Sequence, residues 1–101
     1  MTIIFTDQSL LSLEQSLEFL HSEFDVPIAR LLQLNQEIFD CVKPLEKQPH
    51  LGQIEPKLSH LNLGHRRLIY KNFKIVYRVF EDHIFVTDIF DSRQSPHKMK
   101  K

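Results

Sequence analysis

Three closely spaced apolar segments in the C-terminal part of the chain predict an antiparallel β-meander. Residues 65–70, 73–80 and 84–90 are rich in Ile, Val, Phe, Tyr and Thr, which suit a pleated and half-buried surface. Short polar breaks separate the segments at residues 71–72 and 81–83. These breaks have the length of hairpin loops, and their Asn and Asp residues tolerate the positive φ that tight hairpins require.

The N-terminal half has the spacing of one strand and two helices. Residues 2–6 read as a short apolar strand, and Leu or Phe then recurs at steps of three and four from Leu10 to Phe24, as in a helix with one face in the core. The helical spacing resumes after Pro27 and continues to Val42. The sequence therefore predicts an α+β fold in which an N-terminal strand and a two-helix hairpin pack on an antiparallel sheet completed by the meander.

The connection between the helices and the meander is rich in residues that interrupt regular structure. Pro44, Pro49, Gly52 and Pro56 predict a mostly irregular segment. Loops of this length are frequently functional. Residues 47–60 are therefore either a contact segment for a partner or a plain surface connection.

Side-chain alternation divides the middle strand of the meander into two faces, because successive residues point to opposite sides of a sheet. Ile75, Tyr77 and Val79 share one face. The other face is mixed apolar and cationic, and carries Lys74, Val76, Arg78 and Phe80. Arg66 and Arg93 extend this cationic face onto the neighbouring strands. Two interpretations stay open: a concave basic binding surface, or a solvated face that keeps the sheet in solution.

Length and charge indicate a single globular domain over residues 1–101, large enough to bury roughly two thirds of its unfolded surface. The formal net charge is zero. Residues 1–42 nevertheless hold one basic and seven acidic residues, whereas residues 43–101 hold twelve basic and six acidic residues. The resulting dipole turns one face toward an anionic partner while giving little overall attraction to nucleic acid.

Few residues have the pattern of metal or cofactor chemistry. The six histidines lack the cysteine partners or the i,i+4 spacing of a zinc site, so we expect no metal. Two glycines are too few for a phosphate-binding loop, so we expect no nucleotide cofactor. Cys41, the single cysteine, is predicted to be a buried, inert thiol in the second helix. The absence of a disulfide pair, a signal peptide or a membrane-length apolar run favours a cytoplasmic protein with no membrane partner.

The order of these elements and four short runs of sequence resemble the RelE/ParE superfamily of bacterial toxins. The runs are Leu45-x-x-x-Pro49-x-x-Gly52, Gly64-x-Arg66, Phe73-Lys74-Ile75-Val76-Tyr77-Arg78-Val79 and Ile89-Phe90-Asp91-Ser92-Arg93-Gln94-x-Pro96. The resemblance covers nearly the whole chain. It implies the toxin half of a type II toxin-antitoxin module, whose antitoxin is encoded beside it and binds it directly, with a heterotetramer as the implied assembly.

The superfamily divides by target on one scaffold, so the fold alone cannot decide the activity. RelE-like members cut mRNA in the ribosome. In that case the resemblance implies Arg66 and Lys74 as RNA contacts and Arg93 as a transition-state arginine of a metal-independent endoribonuclease. Leu68 stands where a second lysine is frequent, and no tyrosine follows Arg93 at the usual position. His97 would then have to supply the acid-base chemistry.

ParE-like members poison DNA gyrase and lack nuclease residues. Arg66, Tyr77 and the Arg93-Gln94-x-Pro96 pattern are closer to these members, and a net charge near zero fits a protein-binding inhibitor. The sequence therefore predicts a gyrase inhibitor neutralised by a cognate antitoxin; a ribosome-dependent RNase and a non-toxic binding module are the alternatives. Antitoxin or target contacts are expected at Arg66, Lys74, Val76, Arg78, Phe80 and Arg93.

Overall fold

The chain folds into a five-stranded sheet with two α-helices packed on one face. The computed structural model describes residues 1–94 and 97–101. In chain order its elements are β1 (Thr2–Phe5), α1 (Asp7–Phe24), α2 (Ile28–Val42), β2 (Gln53–Ile54), β3 (Arg66–Tyr70), β4 (Phe73–Phe80) and β5 (His83–Asp91), with 3₁₀-helices at Lys43–Glu46 and Pro56–Leu61. The predicted α+β class and the meander are confirmed.

The strand order is β1-β5-β4-β3-β2, so the N-terminal strand lies at one edge beside the last strand of the meander. The predicted joining of the first strand to the meander is confirmed, but its direction differs from the antiparallel arrangement predicted for the whole sheet. β1 runs parallel to β5, with Thr2 opposite His83 and Phe5 opposite Val86, whereas the other neighbours are antiparallel. Side chains alternate in the same way in both kinds of strand, so the residue pattern carries no information about direction.

The connection over residues 47–60 is more regular than predicted. Gln53 and Ile54 form β2 and pair with Arg67 and Arg66 of β3, and a 3₁₀-helix begins at Pro56. Two paired residues are too few for an alternating pattern to reveal them. This segment therefore forms the second edge of the sheet.

Two apolar clusters lie on opposite faces of the sheet. The larger one joins both helices to Phe73, Ile75 and Tyr77 of β4, with Val79 packed against it, so the face predicted to carry Ile75, Tyr77 and Val79 is the one that the helices cover. The smaller one consists of Leu58, Val76 and Phe90, with Leu61 and Met99 packed against it. The sheet is thus covered on both sides near its centre.

A β-bulge in β5 determines which residues of this strand face the second cluster. Val76 pairs with Asp88 and Tyr77 with Val86, so Thr87 is an extra residue in β5. A bulge of this kind bends the strand and changes which side chains point to each face. As a result every residue from Val86 to Asp91 is buried, although the strand does not alternate regularly.

Serines on α1 let the helix approach β5 closely. The residues buried on this helix are Ser9, Ser12, Leu13, Ser16 and Leu20. The Ser16 hydroxyl accepts a hydrogen bond from the Asp91 N–H at 3.0 Å and donates one to Gln94 Oε1 at 2.6 Å. The predicted leucine stripe is therefore only partly in the core, and Leu10 and Phe24 stay exposed.

Both hairpin loops place the left-handed backbone at an unexpected residue. Lys71 and Glu81 have φ values of 53° and 54°, while the sequence favoured the Asn and Asp that follow them. The first loop still has the predicted two residues between β3 and β4, with Tyr70 opposite Phe73. Loop length, more than the residue at the turn, determines the register of this hairpin.

The hydroxyl of Tyr77 attaches the loop before β2 to the sheet. This buried hydroxyl accepts a hydrogen bond from the Gly52 N–H at 2.9 Å and donates one to the Pro49 carbonyl at 2.8 Å. A Cβ at residue 52 would lie 2.6 Å from the Arg67 carbonyl oxygen, which explains the glycine of the Pro49-x-x-Gly52 run.

Replacing Tyr77 by Phe should lower the free energy of unfolding by about 1–3 kcal/mol, because a buried N–H and a carbonyl lose their partner. Urea denaturation monitored by circular dichroism measures this loss. Tyr70→Phe is the matched control: its half-buried hydroxyl donates to Glu37, which keeps its bond to Arg30, so a loss below about 1 kcal/mol is expected. Equal losses in the two variants would contradict the assignment.

Candidate functional site

The sheet face opposite the α-helices is crossed by residues 97–101, and we call it the tail face. His97 stacks on Phe90 with ring centroids 4.0 Å apart, and Met99 packs on the smaller apolar cluster. The 3₁₀-helix Pro56–Leu61 covers the same face through Leu58. Most of the side chains predicted from the sequence as contacts lie on or beside this face.

Glu55 is a buried carboxylate that gathers cations on the tail face. Its Oε1 lies 3.0 Å from the Lys74 ammonium and 4.0 Å from the Arg67 guanidinium, and Oε2 accepts the Lys57 N–H at 3.0 Å. Burial by itself would raise the pKa of Glu55. The Lys57 N–H and the two cations outweigh burial, so the pKa is lowered and the carboxylate stays charged.

Asp88 is a second buried carboxylate, and it holds the C-terminal segment. Its Oδ2 accepts hydrogen bonds from His97 Nε2 and from the Lys100 N–H, each at 2.8 Å. Nearby, the Thr87 hydroxyl donates to the Lys100 carbonyl at 3.3 Å. Residues 97–101 are therefore attached to β5 by both side-chain and main-chain contacts.

A cavity of about 520 Å³ opens between the 3₁₀-helix Pro56–Leu61 and the C-terminal segment. Lys57, Lys74 and Lys98 line it together with His60 and His97. Phe90, Leu58 and Met99 form its apolar floor. It is a cationic pocket with an apolar base, and Lys74 and His97 are the predicted site residues that reach it.

Arg66, predicted on the cationic face, lies on the other face of the sheet. It pairs with Tyr77, and its Nη1 donates to the Gly52 carbonyl at 2.7 Å. Arg67 is the arginine that shares a face with Lys74. The two-residue hairpin loop already implies this position of Arg66, because pairing Tyr70 with Phe73 places residue 66 opposite 77.

Arg93 is also held away from the tail face. Its Nε and Nη2 donate to the two oxygens of buried Asp91 at 3.0 and 2.8 Å, and the guanidinium lies 4.6 Å from the centre of the Phe24 ring on α1. The hydrogen bonds from Arg93 to Asp91 raise the pKa of the guanidinium. Pro96, the last residue of the Arg93-Gln94-x-Pro96 pattern, lies outside the described residues.

The remaining predicted contacts divide by exposure. Val76, predicted as an exposed partner contact, is completely buried beneath Leu58 in the smaller cluster, because the 3₁₀-helix covers the middle of the strand. Phe80 is exposed as predicted. Arg78 lies on the tail face, with its guanidinium over the rings of Phe80 and Phe85 at 5.5 and 5.8 Å.

The four residues predicted for RNA cleavage therefore do not form one constellation. Lys74 and His97 line the tail-face cavity, whereas Arg66 hydrogen-bonds the loop before β2 and Arg93 pairs with Asp91 beside α1. The His97 ring nitrogen is bonded to Asp88 and the side chain is 11% exposed. A base, an acid and cations around one phosphate require much closer convergence.

A groove between α1 and α2 is a feature that the sequence analysis did not predict. Its volume is about 1030 Å³, and its apolar lining includes Leu10, Leu17 and Phe19 of α1 and Ile28, Leu31, Leu32 and Phe39 of α2. Ile28 is 64% and Leu32 68% exposed. These residues belong to the helical stripes that we assigned to the core. The serines of α1 were the sequence signal for this groove. Because they face the sheet, part of the leucine stripe has to face away from it.

Three further properties of residues 1–94 and 97–101 bear on metal binding, membrane crossing and thiol reactivity. No group of three or more His, Cys, Asp or Glu in these ranges is arranged to hold a metal ion. No helix that they form is long and apolar enough to cross a membrane. Cys41 is partly buried, and burial raises the pKa of its thiol, which makes the reactive thiolate scarcer.

Comparison with known proteins gives a family and a fold. The model of the family described as "ParE toxin of type II toxin-antitoxin system, parDE" matches residues 3–96. A solved structure titled "Chromosomal ParDE TA system from P. aeruginosa" is similar with a TM-score of 0.73 and 22% sequence identity, over 90% of this chain and 95% of that one. Comparison with curated proteins gives no significant match.

Replacing Glu55 by Gln should lower the free energy of unfolding near neutral pH by about 1–3 kcal/mol, because Lys74 and Arg67 lose a buried partner. The pKa of Glu55 is lowered in the folded chain. Its charge therefore stabilises the fold above the ordinary pKa of 4.5, and this contribution is lost as the pH falls through the lowered value.

Urea denaturation of both proteins at a series of acidic pH values should show the two stabilities converging on acidification. Glu46→Gln, at an exposed position, is the control and should change stability by less than about 0.5 kcal/mol. A difference between wild type and Glu55→Gln that does not depend on pH would contradict this role.

Proposed function

Because this chain belongs to the ParE toxin family of type II toxin-antitoxin systems, we propose that it inhibits DNA gyrase and is neutralised by a cognate antitoxin. The family match over residues 3–96 is the observation that carries the proposal. The proposed place of action is the cytoplasm, where gyrase meets its DNA.

The positions of the charged side chains favour gyrase inhibition over mRNA cleavage. An endoribonuclease of this scaffold would need Arg66, Arg93 and His97 around one scissile phosphate. Arg66 is engaged by the Gly52 carbonyl and Arg93 by Asp91, and the two lie apart from the cavity that His97 lines. RNA cleavage stays the second candidate because Lys74 and His97 do share that cavity.

The groove between α1 and α2 is the proposed docking site of the antitoxin. An apolar surface of this size on a small chain is typical of a protein-binding site. Glu14 and Glu18 lie along its lining, so the complementary partner is an amphipathic helix with apolar residues on one face and basic residues at its margin. We propose that a segment of the antitoxin forms this helix on binding, within a heterotetramer of toxin and antitoxin.

Purified protein should inhibit the supercoiling of relaxed plasmid by gyrase or trap cleaved DNA, and should leave mRNA on translating ribosomes intact. Prior addition of the antitoxin, the product of the neighbouring reading frame, should restore supercoiling. Cleavage of ribosome-bound mRNA without an effect on gyrase would overturn the proposal in favour of the RNase. Inactivity in both assays would overturn it in favour of a binding module.

Leu32→Glu should weaken antitoxin binding by at least about tenfold, because a charge would enter the apolar groove next to glutamates that already repel it. Isothermal titration calorimetry measures the dissociation constant. Leu63→Glu is the matched control, since Leu63 is an exposed leucine that does not line the groove. If the two variants bind with equal affinity, the antitoxin docks elsewhere. The melting temperatures of the free variants should match that of the wild type, which excludes a folding defect as the cause of weaker binding.

A further inference from the structure

Two cavities lie along residues 97–101 on the tail face. His97, Lys98 and Met99 line the cavity described above. Lys100 and Lys101 line a second cavity of about 300 Å³, together with Arg78, Phe85 and Thr87. Consecutive residues of one segment line the two cavities, which therefore lie next to each other along the sheet, and we call the two together the track.

Every charged side chain that lines this track is cationic at neutral pH. The first cavity has Lys57, Lys74 and Lys98, and the second has Arg78, Lys100 and Lys101. Among the described residues, no Asp or Glu lines either cavity. The carboxylates of the tail face, Glu55 and Asp88, are buried and already hydrogen-bonded.

The charge asymmetry between the halves of the chain thus becomes an asymmetry across the sheet. All seven acidic residues of segment 1–42 belong to α1, α2 and the turn between them, which lie on the opposite face. Only Arg30 opposes them within that segment. An approaching polyanion is therefore attracted to the tail face and repelled by the helices.

We infer that the tail face binds the phosphodiester backbone of a nucleic acid. The ammonium groups of Lys57 and Lys98 lie at the cavity with no ion pair or hydrogen bond to another described residue, so both can meet phosphate oxygens without breaking a contact of that kind among the described residues. Cations at two successive cavities suit a polymer with regularly repeated charges better than one small anion.

A nucleic acid fits this track better than an acidic peptide does. The first cavity has His60 and His97 in its lining and Phe90 in its apolar floor. The flat faces of bases stack on such rings, whereas the carboxylates of an acidic peptide gain nothing from them. This inference goes beyond gyrase inhibition and does not depend on it, because it concerns the purified chain and a nucleic acid alone.

Fluorescence anisotropy with short labelled strands of oligodeoxythymidine and oligouridine and a short DNA duplex tests the inference. The logarithm of the association constant K should fall linearly with the logarithm of the salt concentration. In the double variant Lys57→Gln/Lys98→Gln, the slope of log K against log salt should become shallower by about 0.7 per lysine for a single strand and about 0.9 per lysine for the duplex. For a single strand this corresponds to roughly 25-fold weaker binding at about 0.1 M salt. Comparing the three probes tells whether DNA, RNA or duplex is preferred, and binding to any of them supports the inference.

The control Lys43→Gln/Lys47→Gln has the same loss of charge at exposed positions outside both cavities, and it should keep the wild-type slope. Lys57→Arg/Lys98→Arg should restore binding. Absence of binding, a slope independent of salt, or equal losses in the two glutamine variants would overturn the inference, as would competition by polyglutamate as effective as that by DNA. Because the assay contains no gyrase, such a failure leaves the supercoiling test unaffected.

Discussion

The bulge at Thr87 is the constraint on which both faces of the sheet depend. If β5 alternated strictly through Thr87, Asp88 and Phe90 would share the helix-covered face with Val86, and Ile89 would lie on the tail face. With the extra residue, Val86 and Ile89 face the helices, while Asp88 and Phe90 face the C-terminal segment. One irregularity in one strand thus allows a chain of 101 residues to have an apolar cluster on each side of its sheet.

Two buried carboxylates organise the tail face that results from this geometry. A buried charge is costly unless it is paired and hydrogen-bonded. Glu55 meets this condition with Lys74, Arg67 and a backbone N–H. Asp88 meets it at one oxygen: Oδ2 accepts hydrogen bonds from His97 and from the main chain of Lys100, whereas buried Oδ1 has no partner among the described residues. Glu55 holds Lys74 and Arg67 on the sheet, and neither carboxylate is exposed. The charged side chains that line the two cavities of the tail face are therefore lysines and Arg78.

Elements with long periodic patterns could be predicted from the sequence, and details that depend on tertiary contacts could not. The helices and the three meander strands follow from spacing alone. The direction of β1, the two-residue β2 and the bulge depend on pairings that no local pattern reports. Arg66 shows a different kind of error, because the hairpin length already placed it opposite Tyr77. The burial of Val76 depends on the 3₁₀-helix Pro56–Leu61, which lies in a segment whose prolines predict irregular structure.

The open groove between the helices has a consequence for the chain before any partner arrives. Side chains such as Ile28 and Leu32 remain exposed to water after folding is complete, so the native state itself has an exposed apolar surface. A second copy of the chain or a chaperone can cover that surface as readily as a dedicated partner can. We therefore expect self-association of correctly folded molecules to limit the concentration that the free protein can reach. Synthesis of the partner before or together with this chain would act as a solubility device, independently of any effect on toxicity.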